Sequence, residues 1–228
     1  MTSEQIDYWN RQLRDKSPLE IARWAIGQSQ GRAIVSTNFR PYEAVLLHLC
    51  VQVQPDIPVL WVDHGYNRPA TYKHAEELKR LLKLNLKAYL PQLSAAHRDA
   101  VYGSVPNPDD EAALKQFSAL MKLEPFQRGM RELAPAVWIT ALRKVQNAHR
   151  AGLDIVSHDA TFGVLKVSPV FYLTDPDMEE YLANFGLPNE WDYFDPAKAD
   201  EKRECGLHAA WGGKAMAAPQ DQPAGVRA

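Results

Sequence analysis

The stretch Ala33-Ile34-Val35-Ser36-Thr37-Asn38-Phe39-Arg40-Pro41-Tyr42, continuing to Val53, decides the fold class. Residues 33–36 form a short β-branched run after Gly31, which suits a strand buried on both faces. A polar loop then leads to Pro41, a residue favoured in the first turn of a helix because its missing N–H is not needed there. Residues 42–53 carry the apolar spacing of a helix. The same order follows at once: strand 57–62 (IPVLWV), Asp63-His64-Gly65, helix 70–82, strand 84–90. Repeated strand–helix units with short loops predict an α/β fold, a parallel twisted sheet with helices on both faces. Ligands bind such sheets beyond the carboxyl ends of the strands. That rule places Ser36, Thr37 and Asn38, and Asp63 to Tyr66, at the binding edge.

Outside this core, residues 3–30 read as helical, with Ile6, Trp9, Leu13, Ile21, Trp24 and Ala25 at helical spacing. Residues 109–132 read as helix and 136–142 as strand, followed by the basic Arg143, Lys144, His149 and Arg150. Short strands are predicted at 154–157 and 163–170, and a helix at 176–185 ending at Gly186. One domain over 1–208 is expected, and the Ala-, Pro-, Gly- and Gln-rich residues 209–228 are expected to be a disordered tail.

Composition narrows the function classes. With 24% charged residues and a net charge of -2, nothing supports nucleic-acid binding through overall charge. The apolar runs are too short to cross a bilayer, and the first residues, MTSEQIDYWNRQLRDK, hold no apolar signal core. The expectation is a cytoplasmic protein with reduced thiols, without a membrane partner. Two cysteines cannot furnish a four-thiolate metal or iron–sulfur site. His64 beside Asp63 has no second ligand pair at recognisable spacing, so no metal is expected.

Several residues could carry chemistry. A loop entering a helix N-terminus offers free N–H groups and a positive dipole end, which suit a phosphate. Ser36, Thr37 and Asn38 add donors there, although such residues also serve as plain helix caps. Cys205 lies in Lys202-Arg203-Glu204-Cys205-Gly206-Leu207-His208, where the flanking positive groups favour the thiolate. Cys50 sits in an apolar helix and is expected to pack in the core. Arg143, Lys144, His149 and Arg150 could face the same pocket or simply be solvated, as could Lys122, Glu124 and Arg128.

Together these segments resemble the phosphoadenylyl-sulfate reductase family. Ser36-Thr37-Asn38-Phe39 resembles its Ser-Thr-Ser-Phe, and Asp63-His64-Gly65-Tyr66 with Pro69, Thr71 and Tyr72 resembles its Asp-Thr-Gly-Tyr…Pro-Glu-Thr-Tyr. Lys122-Leu123-Glu124-Pro125 matches Lys-x-Glu-Pro, Trp138 to Arg143 resembles Trp-x-x-Gly-Leu-Arg, and Lys166-Val167-Ser168-Pro169 resembles Lys-Val-x-Pro. Glu204-Cys205-Gly206-Leu207-His208 is identical to the family's terminal motif. The resemblance implies an adenine nucleotide α-hydrolase-like fold and reduction of phosphoadenylyl sulfate in sulfate assimilation. It implies Cys205 as nucleophile with His208 beside it. Ser36, Thr37 and Asn38 would hold phosphate, and Asp63 and Gly65 would line the nucleotide pocket. Arg143, Arg150 and Lys166 would meet the anionic groups. It further implies thioredoxin or glutaredoxin as reductant, no bound cofactor and, as in many members, a homodimer. The alternative is a divergent paralogue that binds an adenine nucleotide with a different or lost activity. Four departures bear on that alternative. Asn38 replaces the loop's second serine, and Lys144 replaces an arginine. The stretch 192–204 is shorter than usual, and twenty residues follow His208.

Overall fold

Ser17 and Pro18 divide the N-terminal stretch that apolar spacing alone makes into one helix. The computed structural model describes residues 1–107, 109–147, 150 and 152–196; in it α1 spans Ser3–Leu13 and α2 spans Pro18–Gln28. Ser17 Oγ accepts the Glu20 N–H, and the Glu20 carboxylate accepts the Ser17 N–H. With Pro18 in the first turn, these are start signals for a new helix, which corrects the single helix expected over 3–30.

The chain continues as β1 (Ala33–Thr37), α3 (Glu43–Val53), β2 (Pro58–Val62), α4 (Pro69–Leu82) and β3 (Asn85–Tyr89). Helices α5 (Ala95–Tyr102) and α6 (Glu111–Ser118), a π-helical turn (Ala119–Leu123) and α7 (Glu124–Leu133) follow. Then come β4 (Val137–Ile139), β5 (Val156–Asp159), β6 (Val164–Val167) and α8 (Asp175–Phe185). Pro41 stands outside α3, not in its first turn: Tyr42 caps the helix in a left-handed conformation at φ 71°. The helix expected over 109–132 is three pieces, because Pro125 cannot donate to the carbonyl one turn back and the backbone widens into the π turn before it. Helix α5 had no counterpart in the sequence reading.

The described strands order as β3-β2-β1-β4-β6-β5. β1 pairs in parallel with both β2 and β4, so the chain winds outward from β1 on one side and returns on the other. The crevice at the carboxyl ends of β1 and β4 is therefore the switch point where such sheets take ligands. The sheet is parallel except at one rim. There β5 runs antiparallel to β6 through a tight turn, in which the Gly163 N–H donates to the Asp159 carbonyl and Gly163 adopts φ +67°. A turn that short joins only antiparallel strands, so the expected parallel sheet carries one antiparallel edge strand.

Both faces are covered, as the apolar strands predict. Val35, Val59, Ile139 and Val167 pack with residues of α2 and α3, while Ile34, Leu60, Trp138 and Val164 pack with Phe126 and Met130 of α7. At the β5 rim, Asn10 of α1 is buried, and its side-chain amide donates to the Val156 carbonyl at 3.0 Å and accepts the Val156 N–H at 2.8 Å. Asn10→Ala is expected to cost about 2–3 kcal/mol, since it leaves both peptide groups unpaired. Urea unfolding checks this, and a loss below about half a kcal/mol would show that water replaces the amide.

Candidate active site

Of the residues expected to bind ligand, Ser36, Thr37 and Asn38 lie at the end of β1, Asp63 and Gly65 after β2, Arg143 after β4 and Lys166 on β6, and they face both sides of the sheet. Ser36 and Thr37 are successive strand residues and point to opposite sides. Ser36 Oγ accepts the Trp138 indole N–H at 2.8 Å. The Lys166 ammonium lies 4.6 Å from the centre of the Trp138 ring, so Ser36, Trp138 and Lys166 form one group on the α7 side. Ser168 and Thr140 hydroxyls meet at 2.8 Å where β4 and β6 end.

On the α3 side the loop donors turn inward. The Thr37 hydroxyl and the Asn38 N–H both donate to Glu43 Oε2, each at 2.7 Å. The Glu43 carboxyl is buried, and desolvation pushes its pKa up despite the Arg40 charge and these hydrogen bonds. Thus Glu43, which the sequence reading missed, holds two of the donors assigned to a phosphate. Its only sequence signal is a carboxylate at the first residue of α3, where an acid is ordinary.

Arg143 is buried and committed within the chain. Its guanidinium pairs with Asp175 at 2.6 Å, donates to the Leu173 carbonyl at 3.3 Å and stacks over Tyr42. Arg150 is also buried and donates to the Gln146 side chain. Asp63 follows β2, and its Oδ1 accepts from the Gly65 N–H (3.0 Å), the Asn67 amide (3.1 Å) and the Tyr72 hydroxyl (2.8 Å). Gly65 adopts φ +78°, and an added Cβ would stand 3.1 Å from Ala95 of α5, so glycine is required both by the backbone and by the helix above it.

His64 between them is buried, and its Nδ1 accepts the Tyr66 N–H at 3.1 Å, leaving the proton on Nε2. Desolvation, then the nearby Lys122 charge, lower its pKa to about 4. Between that value and the usual 6.5 the unfolded chain binds a proton here that the folded chain refuses, so stability falls as pH falls across this window. His64→Gln should flatten that decline, compared by urea unfolding at about pH 5 and pH 7.5. An unchanged decline would place its cause elsewhere.

The π turn carries Lys122 inward. It is 2% exposed, and its ammonium donates to both carboxylate oxygens of Asp195 at 2.7 and 2.6 Å. Asp195 ends a belt, residues 187–196, that crosses the helix starts on this edge. Asn189 accepts the Tyr42 N–H at 2.8 Å, Trp191 packs edge-on against Tyr42, and Asp192 pairs with Arg68. Among the described residues, no group of three His, Cys, Asp or Glu could hold a metal, and no helix is long and apolar enough to cross a membrane. Cys205, His208, His149 and the tail 209–228 lie outside the described residues.

A family model described as the phosphoadenosine phosphosulfate reductase domain matches residues 32–190. A phosphoadenosine 5′-phosphosulfate reductase from a Synechococcus strain is 33% identical over 222 residues, covering 87% of this chain and 95% of its own. One from Klebsiella pneumoniae is 35% identical over 221 residues, covering 87% and 89%. A Candida auris phosphoadenylyl-sulfate reductase structure superposes with a TM-score of 0.72 at 23% identity, over 83% of this chain and 89% of that one. An NH3-dependent NAD synthetase from Campylobacter jejuni superposes at 0.52 with 13% identity, over 78% and 74%. These likenesses bear on the fold alone, a mostly parallel six-stranded sheet with helices on both faces. With the model matching most of the chain and relatives above 30% identity along nearly their whole length, the chain belongs to the phosphoadenosine phosphosulfate reductase domain family.

Proposed function

We propose that this protein reduces phosphoadenylyl sulfate to sulfite and adenosine 3′,5′-bisphosphate in sulfate assimilation. The observation that carries the reading is the identity of 33–35% to phosphoadenosine 5′-phosphosulfate reductases along most of both chains. That similarity favours the reductase over a paralogue with other chemistry. Burial of four cations supports it as well: Lys122, Arg143, Arg150 and Lys166 are all buried, with Arg143 following β4 and Lys166 on β6. Cys205 is the nucleophile. Its thiolate attacks the sulfur of the sulfuryl group, the S–O bond to the phosphate breaks, and the bisphosphate leaves with that electron pair. A thioredoxin or glutaredoxin thiolate then attacks the cysteine sulfur of the S-sulfonate and expels sulfite. The reductant's second thiol closes its own disulfide, which balances the two electrons. His208 stands beside the nucleophile. Ser36 and Lys166 bind the nucleotide's anionic groups. Thr37 and Asn38 join them once Glu43 yields their donors, and Asp63 and Gly65 shape the pocket. No resident cofactor takes part, and the protein works in the cytoplasm, where thiol reductants are abundant.

The test mixes reduced protein with phosphoadenylyl sulfate or adenylyl sulfate, without reductant, and records intact mass with peptide mapping. A sulfonate on Cys205 from the phosphorylated nucleotide is the expected result. An adduct only from the unphosphorylated one would change the substrate, and none from either would end the reductase reading.

A further inference from the structure

Lys122 and Asp195 make a pair that resembles a bound oxyanion more than a structural tie. Two oxygens of one acceptor approach a single buried ammonium at 2.7 and 2.6 Å, as an edge of sulfate or phosphate would. The two side chains are 2% and 3% exposed. Burying both charges costs much of what their attraction returns, so such a pair is weak evidence for a purely structural role.

We propose that Asp195 is an intramolecular competitor for an oxyanion site at Lys122, so that seating of the belt 187–196 and binding of a sulfate or phosphate group there exclude one another. The inference rests on the reading that this edge binds an anionic nucleotide, and adds how the free protein occupies it. Place is the first support: His64, the second residue beyond β2, feels the charges of both Lys122 and Asp195, so the pair stands at the strand-end edge. The belt's other attachments are the second support. Asn189 holds the belt's first half through the Tyr42 N–H at 2.8 Å, but beyond it the Arg68–Asp192 pair is about half exposed on each side, the Thr71 hydroxyl reaches the Asp192 carbonyl only at 3.5 Å, and Trp191 is largely exposed. Contacts of that kind contribute little. Asp195 is thus the buried anchor of the belt's second half, and an oxyanion that takes Lys122 from it loosens the belt after Asn189. The anchor is ten residues before Cys205 in the chain.

The experiment compares the full chain with Asp195→Asn. Isothermal titration with inorganic sulfate and with adenosine 3′,5′-bisphosphate is paired with hydrogen exchange over residues 187–196. Asp195→Asn should bind sulfate about 10-fold more tightly, in line with a coupled neighbouring pair. Saturating sulfate should speed exchange of the belt in the unaltered protein, and Asp195→Asn should show that speed without sulfate. The double variant Lys122→Met with Asp195→Asn should loosen the belt yet gain no sulfate affinity. Equal or weaker sulfate binding by a folded Asp195→Asn overturns the inference. If the bisphosphate still binds the unaltered chain in that case, the nucleotide reading survives and only the competition falls. If the bisphosphate binds neither protein, both fall. Should Asp195→Asn not fold, the unaltered chain decides: belt exchange unmoved by saturating sulfate overturns the inference.

Discussion

Cys205→Ser is expected to lower sulfite formation by about 10⁴-fold or more, the scale seen when a covalent nucleophile is removed. A serine hydroxyl at neutral pH supplies almost no anion to attack the sulfuryl sulfur, whereas a thiol flanked by Lys202, Arg203 and His208 supplies its thiolate. Nucleotide affinity should hardly change, because the loss concerns a bond made only on the way to product. Cys50 makes the experiment clean. It is fully buried in α3, and desolvation pushes its thiol up to about 12, so it neither attacks nor takes up an alkylating reagent at neutral pH. Mass shifts under mild labelling therefore belong to Cys205, and bound nucleotide should slow them. Residual activity within tenfold of the unaltered protein would remove Cys205 from the reaction. Labelling unaffected by saturating nucleotide would remove it from the pocket.

The second large effect concerns Trp138. It is 0% exposed in the middle of the sheet, with its ring 5.1 Å from that of Phe126 and 6.3 Å from that of Phe162. Trp138→Ala should destabilise the fold by about 3–5 kcal/mol through the cavity left behind. The same change leaves Ser36 without its indole donor and takes away the ring over which the Lys166 ammonium rests. Trp138→Phe separates the two roles. It keeps most of the packing, so stability should fall by only about 1–2 kcal/mol, while the indole N–H is lost and the attraction for Lys166 weakens. Denaturant midpoints measure the first role and the nucleotide KM the second. A phenylalanine variant with unchanged KM would make Trp138 a packing residue alone.

The parts of this molecule that could be read from its sequence are those built from neighbours along the chain. The strand at 33–37, the loop after it and the helix from Glu43 announce themselves through β-branched residues and helical spacing, and they place Ser36, Thr37 and Asn38 at a strand end. Pairings between distant residues could not be read. Lys122 and Asp195 are 73 residues apart, and nothing in either segment names the other. Arg143 illustrates the limit differently. Its place at the end of β4 was legible, but its engagement with Asp175 depends on where α8 begins in space. Glu43 was invisible for a third reason, since an acid in the first turn of a helix is commonplace until it is found buried against the loop's own donors.

Asn10 has a consequence for how copies of this chain behave together. At Val156 the side-chain amide uses one donor and its acceptor as a neighbouring peptide group would, so α1 covers the start of the β5 edge while offering no new ladder there. An approaching chain meets a helix there. At the opposite rim, β3 turns Lys87 outward, a charge that discourages the addition of another strand. Copies of this chain can thus be crowded without their sheets merging at these rims.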